Sequence, residues 1–152
     1  MNREYIIIHH SLTEDSKTLS WGAIRKNHIE VRGFLDVGYH WGIELVNDDY
    51  EILMGRMPDK VGAHAKEMHM NSRSLGIMCC GNFDITVPSS GIIDKLEELV
   101  NWLMWEYKIP KEKVIGHRDV GLMAGYDWTK GQYKSCPGKL FSLDEFRDRL
   151  IF

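Results

Sequence analysis

A chain of 152 residues, 43% hydrophobic and 27% charged, is long enough to bury the core of one globular domain and too short for two. Its formal net charge of -3 leaves no basic footprint for a nucleic-acid partner, because phosphate backbones demand a positive surface. Three cysteines cannot all pair within one molecule, and Cys79 and Cys80 are adjacent, which argues against a disulfide framework and for a reducing compartment.

The chain opens MNREYIIIHHS. Its apolar run from Tyr5 to Ile8 is far shorter than a signal-peptide core or a membrane span, so synthesis in the cytoplasm without an export signal, and no membrane insertion, are expected. The run is β-branched and lacks a helical period, which predicts a central strand covered on both faces and ending at His9. Ser20 to Arg32 predicts a helix, with Trp21, Ile24, His28 and Val31 at spacings of three and four, stopped by Gly33. Gly38 to Val46 and the following NDDYEILMG predict two strands joined by a turn at Asn47, Asp48 and Asp49.

Arg56 to Ser72 lacks a period and carries Pro58 and Gly62, which predicts mostly loop, and Leu75 to Cys80 predicts the next buried strand. From Ser90 to Tyr107 the residues Ile92, Ile93, Leu96, Leu99, Val100, Leu103, Met104 and Tyr107 form a stripe of 3.6-residue period, the clearest helix in the chain. It finishes before Pro110, and Val114 and Ile115 then make a short strand that ends at His117. Gly116 to Gly138 holds glycines and aromatics without a regular period and is longer than a simple connection, so a functional loop is expected. Ser142 and Glu145 form a capping box for a closing helix with Leu143, Phe146 and Leu150 inside, running to the chain end. No repeat, linker or low-complexity tail divides residues 1–152, which are expected to form a single α/β domain with a central mixed sheet flanked by helices.

Ligands of such folds gather at the carboxyl ends of strands, where both His9 and His117 fall. If their strands are parallel neighbours, the two imidazoles converge at one rim of the sheet. Two histidines and a thiolate, with a fourth position left for water, make the donor set of a catalytic zinc site rather than a structural one. Cys136 is the best third donor: in KSCPG it lies between Ser135 and Pro137, two residues after Lys134, whose charge favours thiolate.

Six blocks in order now carry a resemblance: IIIHHS at 6–11, FLDVGYH at 34–40, VGAHA at 61–65, NSRSLGI at 71–77, GHRDV at 116–120 and KSCPG at 134–138. Together they resemble the N-acetylmuramoyl-L-alanine amidases of the phage-lysozyme and peptidoglycan-recognition type, over nearly the whole chain. The resemblance implies one zinc ion per chain on His9, His117 and Cys136, with Tyr39 and Lys134 as the catalytic side chains. It implies peptidoglycan or muropeptides as partners and cleavage between the muramic acid lactyl group and L-alanine, without a separate wall-binding domain. A phage endolysin held in the cytoplasm until lysis fits, as does a bacterial recycling amidase; the protein is expected to be a monomer. The activities agree with the residues, since zinc polarises a carbonyl and lowers the pKa of water to about 7. Lys134 and the Tyr39 hydroxyl can both face a developing oxyanion, and either can relay the proton to the leaving amine. After GHRDV many relatives continue with Ala-Pro, whereas this chain has Gly121, Leu122 and an extended stretch to Tyr133.

By the same resemblance His64 lies near the substrate groove, and Asn71 and Arg73 are candidates for meeting peptide carboxylates, although exposed polar loop residues are ordinarily only solvated. His10 and His40 alternate to the opposite face from His9 and Tyr39, and His28 reads as packing or surface. Cys79 and Cys80 read as buried small apolar residues, and Trp102 and Trp105 as margins of the long helix or an exposed pair. Two rivals remain. A His2Cys set with Met123 as axial ligand describes blue copper, against which the mixed pattern and wide dispersal of donors argue. A recognition module that binds muropeptide without cutting it is the closer rival, although such relatives have lost a zinc ligand and here every expected donor is present.

Overall fold

The computed structural model describes residues 1–12 and 21–151. Within them a mixed sheet of five strands is built from β1 (Tyr5–His10), β2 (Trp41–Val46), β3 (Asp49–Met54), β4 (Ser74–Cys79) and β5 (Val114–Gly116), in the order β3-β2-β4-β1-β5. Five helices pack around it: α1 (Trp21–Glu30), α2 (Met70–Arg73), α3 (Ser90–Tyr107), α4 (His117–Met123) and α5 (Leu143–Asp148). Among the described residues no helix is long and apolar enough to cross a membrane.

Strand alternation sorts the side chains of β1. Ile6 and Ile8 point to the face where Trp41, Ile43, Leu75 and Ile77 meet Leu96, Leu99, Val100 and Leu103 of α3 and Phe146 of α5, the largest apolar cluster. Ile7 points the other way, to Ala65, Met70, Ile115 and Val120, and His9 shares that side by period. Both neighbours of β1 are parallel to it, β4 by Ile8↔Ile77 and β5 by Ile8↔Gly116. The residues that leave β1 and β5 at their carboxyl ends therefore emerge side by side, which brings His9 and His117 to one rim.

The elements differ from the sequence reading in definite places. β1 continues through His10. The predicted start of α1 at Ser20 lies outside the described residues, and its far end stops at Glu30, leaving Val31 75% exposed rather than on the inner face. Gly33 has φ +71°, a conformation that ends a helix without strain. The span 56–72 holds a short 3-10 turn at Glu67–His69 and the start of α2. The stretch after Gly116 begins with α4, two turns that no periodicity announced, and α5 ends at Asp148, short of the terminus, although Leu150 is still buried. Ser142 caps α5 by accepting from the Glu145 amide.

Arg3 ties the amino terminus to this frame. Its buried guanidinium donates to the carbonyls of Pro58, Lys60, Ser72 and Ser74, pinning the 58–60 loop to the start of β4. Those acceptors replace water around a charge that burial would otherwise penalise.

Candidate metal centre and cleft

His9 is the penultimate residue of β1, His117 opens α4 directly after β5, and Cys136 lies in the loop that returns toward α5. Each is buried, and one donor atom from each lies within 4.8 Å of the other two. His9 Nδ1 is 3.7 Å from Cys136 Sγ. A tetrahedral ion bound at about 2.1 Å to nitrogen and about 2.3 Å to sulfur would hold such a pair roughly 3.6 Å apart, so the spacing of this pair suits a shared ion.

Two loops present Cys136. The Arg118 amide donates to the Cys136 carbonyl at 2.7 Å, and the Arg118 guanidinium donates to the carbonyls of Gly138 and Phe141. Asp84 accepts from the Ser135 hydroxyl at 2.8 Å and from the Lys139 amide at 2.9 Å. The His10 amide donates to Cys136 Sγ at 3.4 Å, so the strand that carries one donor also holds another. His10 itself turns to the opposite face, as alternation demands, and accepts from the Phe83 amide at Nδ1.

Burial sets the protonation of the cluster. It pushes the Cys136 thiol up to about 12, against the His10 amide and the charges of Lys134 and Arg118, which pull it down. The sequence reading weighed only the Lys134 charge, and here desolvation outweighs it; an incoming divalent ion must displace the proton. His117 is lowered to about 4, first by burial and then by Lys134, with Glu67 opposing. Burial also depresses His9, with His117, His64 and Lys134 adding to the effect. Both imidazoles are thus neutral near pH 7, the form that donates a lone pair.

His64 stands directly behind His9. Its Nδ1 lies 2.8 Å from His9 Nε2, and its Nε2 lies 3.4 Å from the Ser74 hydroxyl, which donates to the Met70 carbonyl. The ring reaches this place because β4 carries Gly76, where a Cβ would stand 2.8 Å from the imidazole. Asn71 lines the cleft but its Oδ1 accepts from the His64 and Ala65 amides at 2.7 and 2.8 Å, which holds the VGAHA loop in shape. Arg73 faces elsewhere, paired with Glu4 at 2.9 Å and lying over the Tyr5 ring, away from the residues that line the cleft.

Tyr39 and Lys134 flank the cluster in a cleft of about 760 Å³, a volume that suits a ligand of several sugar or amino-acid units. The Tyr39 ring is 5.0 Å from that of His9, and burial, with the Cys136 sulfur, raises its phenol, which keeps its proton. His28 also lines the cleft, accepting at Nδ1 from the Gly38 amide, rather than lying on the surface. Sequence reasoning missed Tyr133 and Glu67. The Tyr133 hydroxyl donates to Glu67 at 2.7 Å and lies 3.2 Å from His117 Nε2, and burial and Glu67 raise its pKa. The Glu67 carboxyl, which burial would raise, is held below its ordinary value by that hydrogen bond and nearby positive charge.

A single α/β domain whose sheet rim gathers two imidazoles and a thiol in an open cleft belongs to the class of proteins with a three-donor candidate metal centre. Residues 1–139 match the family described as N-acetylmuramoyl-L-alanine amidase, and the chain belongs to that family. Peptidoglycan-recognition protein LB of Drosophila melanogaster is 32% identical over 124 residues, 76% of this chain and 51% of that protein, so the chain spans about half of that relative. Human peptidoglycan recognition protein 3 is 29% identical over 127 residues, 77% of this chain and 35% of that protein. The solved N-acetylmuramoyl-L-alanine amidase LysC from Clostridium intestinale URNW superposes with a TM-score of 0.76 at 26% identity, covering 97% of this chain and 85% of that one. Wild-type Drosophila PGRP-LB superposes with a TM-score of 0.70 at 28% identity, covering 92% and 78%, and a variant of it was solved with tracheal cytotoxin.

Proposed function

We propose that this chain is a zinc-dependent N-acetylmuramoyl-L-alanine amidase of the endolysin kind, cutting the amide between the lactyl group of muramic acid and L-alanine. The observation that carries the reading is the complete donor set, His9, His117 and Cys136, within 4.8 Å of one another in a cleft that also holds Tyr39 and Lys134. Family membership and the likeness to LysC support catalysis. The recognition proteins among the relatives keep a binding role without turnover as the second reading.

Those three residues would hold the zinc, which when bound would supply Lewis acidity to the scissile carbonyl and lower the pKa of water. The remaining work falls to the chain. The Tyr39 hydroxyl, kept protonated by burial, donates a hydrogen bond to the oxygen on which charge develops, and the Lys134 ammonium stabilises the same charge across the cleft. One of the two passes a proton to the departing L-alanine amine, which would otherwise leave as an unstable anion. His64, behind His9, keeps that ring from rotating and adds a wall to the groove.

Purified protein should hold about one zinc per chain and release stem peptides with a free L-alanine amine from peptidoglycan. His117→Ala and Cys136→Ala should lose both metal and turnover. Tyr39→Phe and Lys134→Ala should keep the metal and slow turnover about 100- to 1,000-fold, the usual loss for one oxyanion donor. Metal-loaded protein that binds muropeptides and releases no amine would establish the recognition role instead. Comparing products from intact wall and soluble muropeptides by mass spectrometry separates an endolysin from a recycling enzyme.

A further inference from the structure

We propose that Tyr133 and Glu67 form a positioning pair that holds the His117 imidazole with its proton on Nε2, leaving Nδ1 as the lone-pair donor to the metal. The inference rests on the zinc reading above for its consequence, but its geometry is independent of it.

Hydrogen-bond bookkeeping carries the assignment. Tyr133 owns one hydroxyl proton, and the Glu67 carboxylate, which can only accept, lies closer to it at 2.7 Å than His117 Nε2 does at 3.2 Å. The proton goes to Glu67. The Tyr133 oxygen is then an acceptor toward His117, so Nε2 must carry a hydrogen and the free lone pair falls on Nδ1. A ring that was protonated on Nδ1 would place two lone pairs face to face across that 3.2 Å gap. The other histidine of the cluster is placed alike, with His9 Nε2 2.8 Å from His64 Nδ1 and His9 Nδ1 3.7 Å from Cys136 Sγ. Metal-binding histidines are commonly oriented in this way through their second nitrogen.

The chain also builds a slot for the Tyr133 ring. Its edge meets the His117 ring at 83° with centroids 5.6 Å apart, and Tyr126 stacks on it at 8° and 6.0 Å. Gly121 of α4 makes room, since any Cβ there would collide with the ring of Tyr133. Gly121, Tyr126 and Tyr133 all lie in the stretch after GHRDV where this sequence departs from the blocks it otherwise shares. The extension that looked like an irregular loop therefore supplies a support for one metal ligand, with Glu67 reaching it from the turn before α2.

Zinc affinity of the wild-type protein is measured first by competition with a chromogenic chelator, followed by Tyr133→Phe, Glu67→Ala and Glu67→Gln. Tyr133→Phe keeps the ring in its slot and removes the hydroxyl; it and Glu67→Ala should weaken zinc binding about 10- to 100-fold. Glu67→Gln, which still offers an oxygen to the hydroxyl, should stay within a few-fold of wild type. In metal-free protein, ¹⁵N chemical shifts of the His117 ring should report Nε2 protonated in the wild type and a mixture of tautomers in Tyr133→Phe. Unchanged affinity together with an unchanged tautomer in Tyr133→Phe would overturn the pairing. A wild-type chain that takes up no zinc would sink the proposed function instead, while the tautomer measurement would still decide the role of Tyr133.

Discussion

Arg118 sits beside His117 in the GHRDV block yet works on the neighbouring loop. Its amide and its two terminal guanidinium nitrogens reach the carbonyls of Cys136, Gly138 and Phe141, so the fork braces the turn from which Cys136 projects. The cation is half-buried and lies 4.7 Å from the Trp128 ring centroid. Replacing it with methionine keeps the volume and removes two charge-assisted hydrogen bonds, a loss of about 2–4 kcal/mol in unfolding free energy. Zinc affinity should fall with it. Lysine should not restore either property, because a single ammonium cannot satisfy two divergent carbonyls. Urea titration and chelator competition on Arg118→Met and Arg118→Lys check this, and full recovery by lysine would show that charge alone is required. At this scale the sequence pointed to the three side chains that gather within 4.8 Å, since His9, His117 and Cys136 stand in recognisable blocks. It hid their supports. Tyr133 and Glu67 are 66 positions apart, Arg3 reaches carbonyls 55 to 71 positions away, and no local spacing marks such pairs.

Elements were legible where a repeated apolar pattern, a cap or a turn residue marked them. The 18 residues of α3 repeat the apolar stripe often enough to define both the helix and its buried face, with Ser89 capping its start by accepting from the Ile92 amide. The hairpin of β2 and β3 was likewise readable from Asn47, which takes φ +56° in the turn. The seven residues of α4 span less than two full turns of useful pattern and include Gly121, so periodicity could not reveal them. The order β3-β2-β4-β1-β5 was also hidden, because parallel pairing joins segments separated by whole crossovers. The division of labour on α3 gives a test. Leu96 is fully buried in the core cluster that α3 shares with the sheet, and Leu96→Ala should cost about 2–5 kcal/mol. Trp105 is 55% exposed, and Trp105→Ala should cost less than about 1 kcal/mol. Chemical denaturation measures both, and a larger loss at Trp105 would mean that its face is covered in solution.

The whole molecule keeps an unusual number of imidazoles away from water, and this sets how it responds to acid. His40, with no exposed surface, accepts from the Gly76 amide at Nδ1 and donates from Nε2 to the Lys60 carbonyl, so both nitrogens are spent on the neutral ring. Burial lowers it to about 4; the Lys60 carbonyl opposes this, and the positive charges of Arg3 and Arg56 add to it. The ring of His64 lies 5.8 Å away and contributes no negative charge to offset them. A folded-state value below the unfolded value of about 6.5 means that the unfolded chain takes up the proton first as pH falls. The stabilisation is therefore complete above about pH 6.5 and is lost progressively down to about pH 4, at about 1.4 kcal/mol per pH unit and about 3 kcal/mol in all. His28, His10, His9, His64 and His117, all lowered first by burial, add to the loss with the same sign. Unfolding free energies of metal-free protein between pH 7.5 and pH 4.5 should fall more steeply than this one-proton slope, and His40→Asn, which retains an acceptor for Gly76, should be less stable at pH 7.5 but shallower by close to one proton. Identical slopes in the two proteins would place the acid sensitivity in other groups and leave the His40 clasp as packing alone.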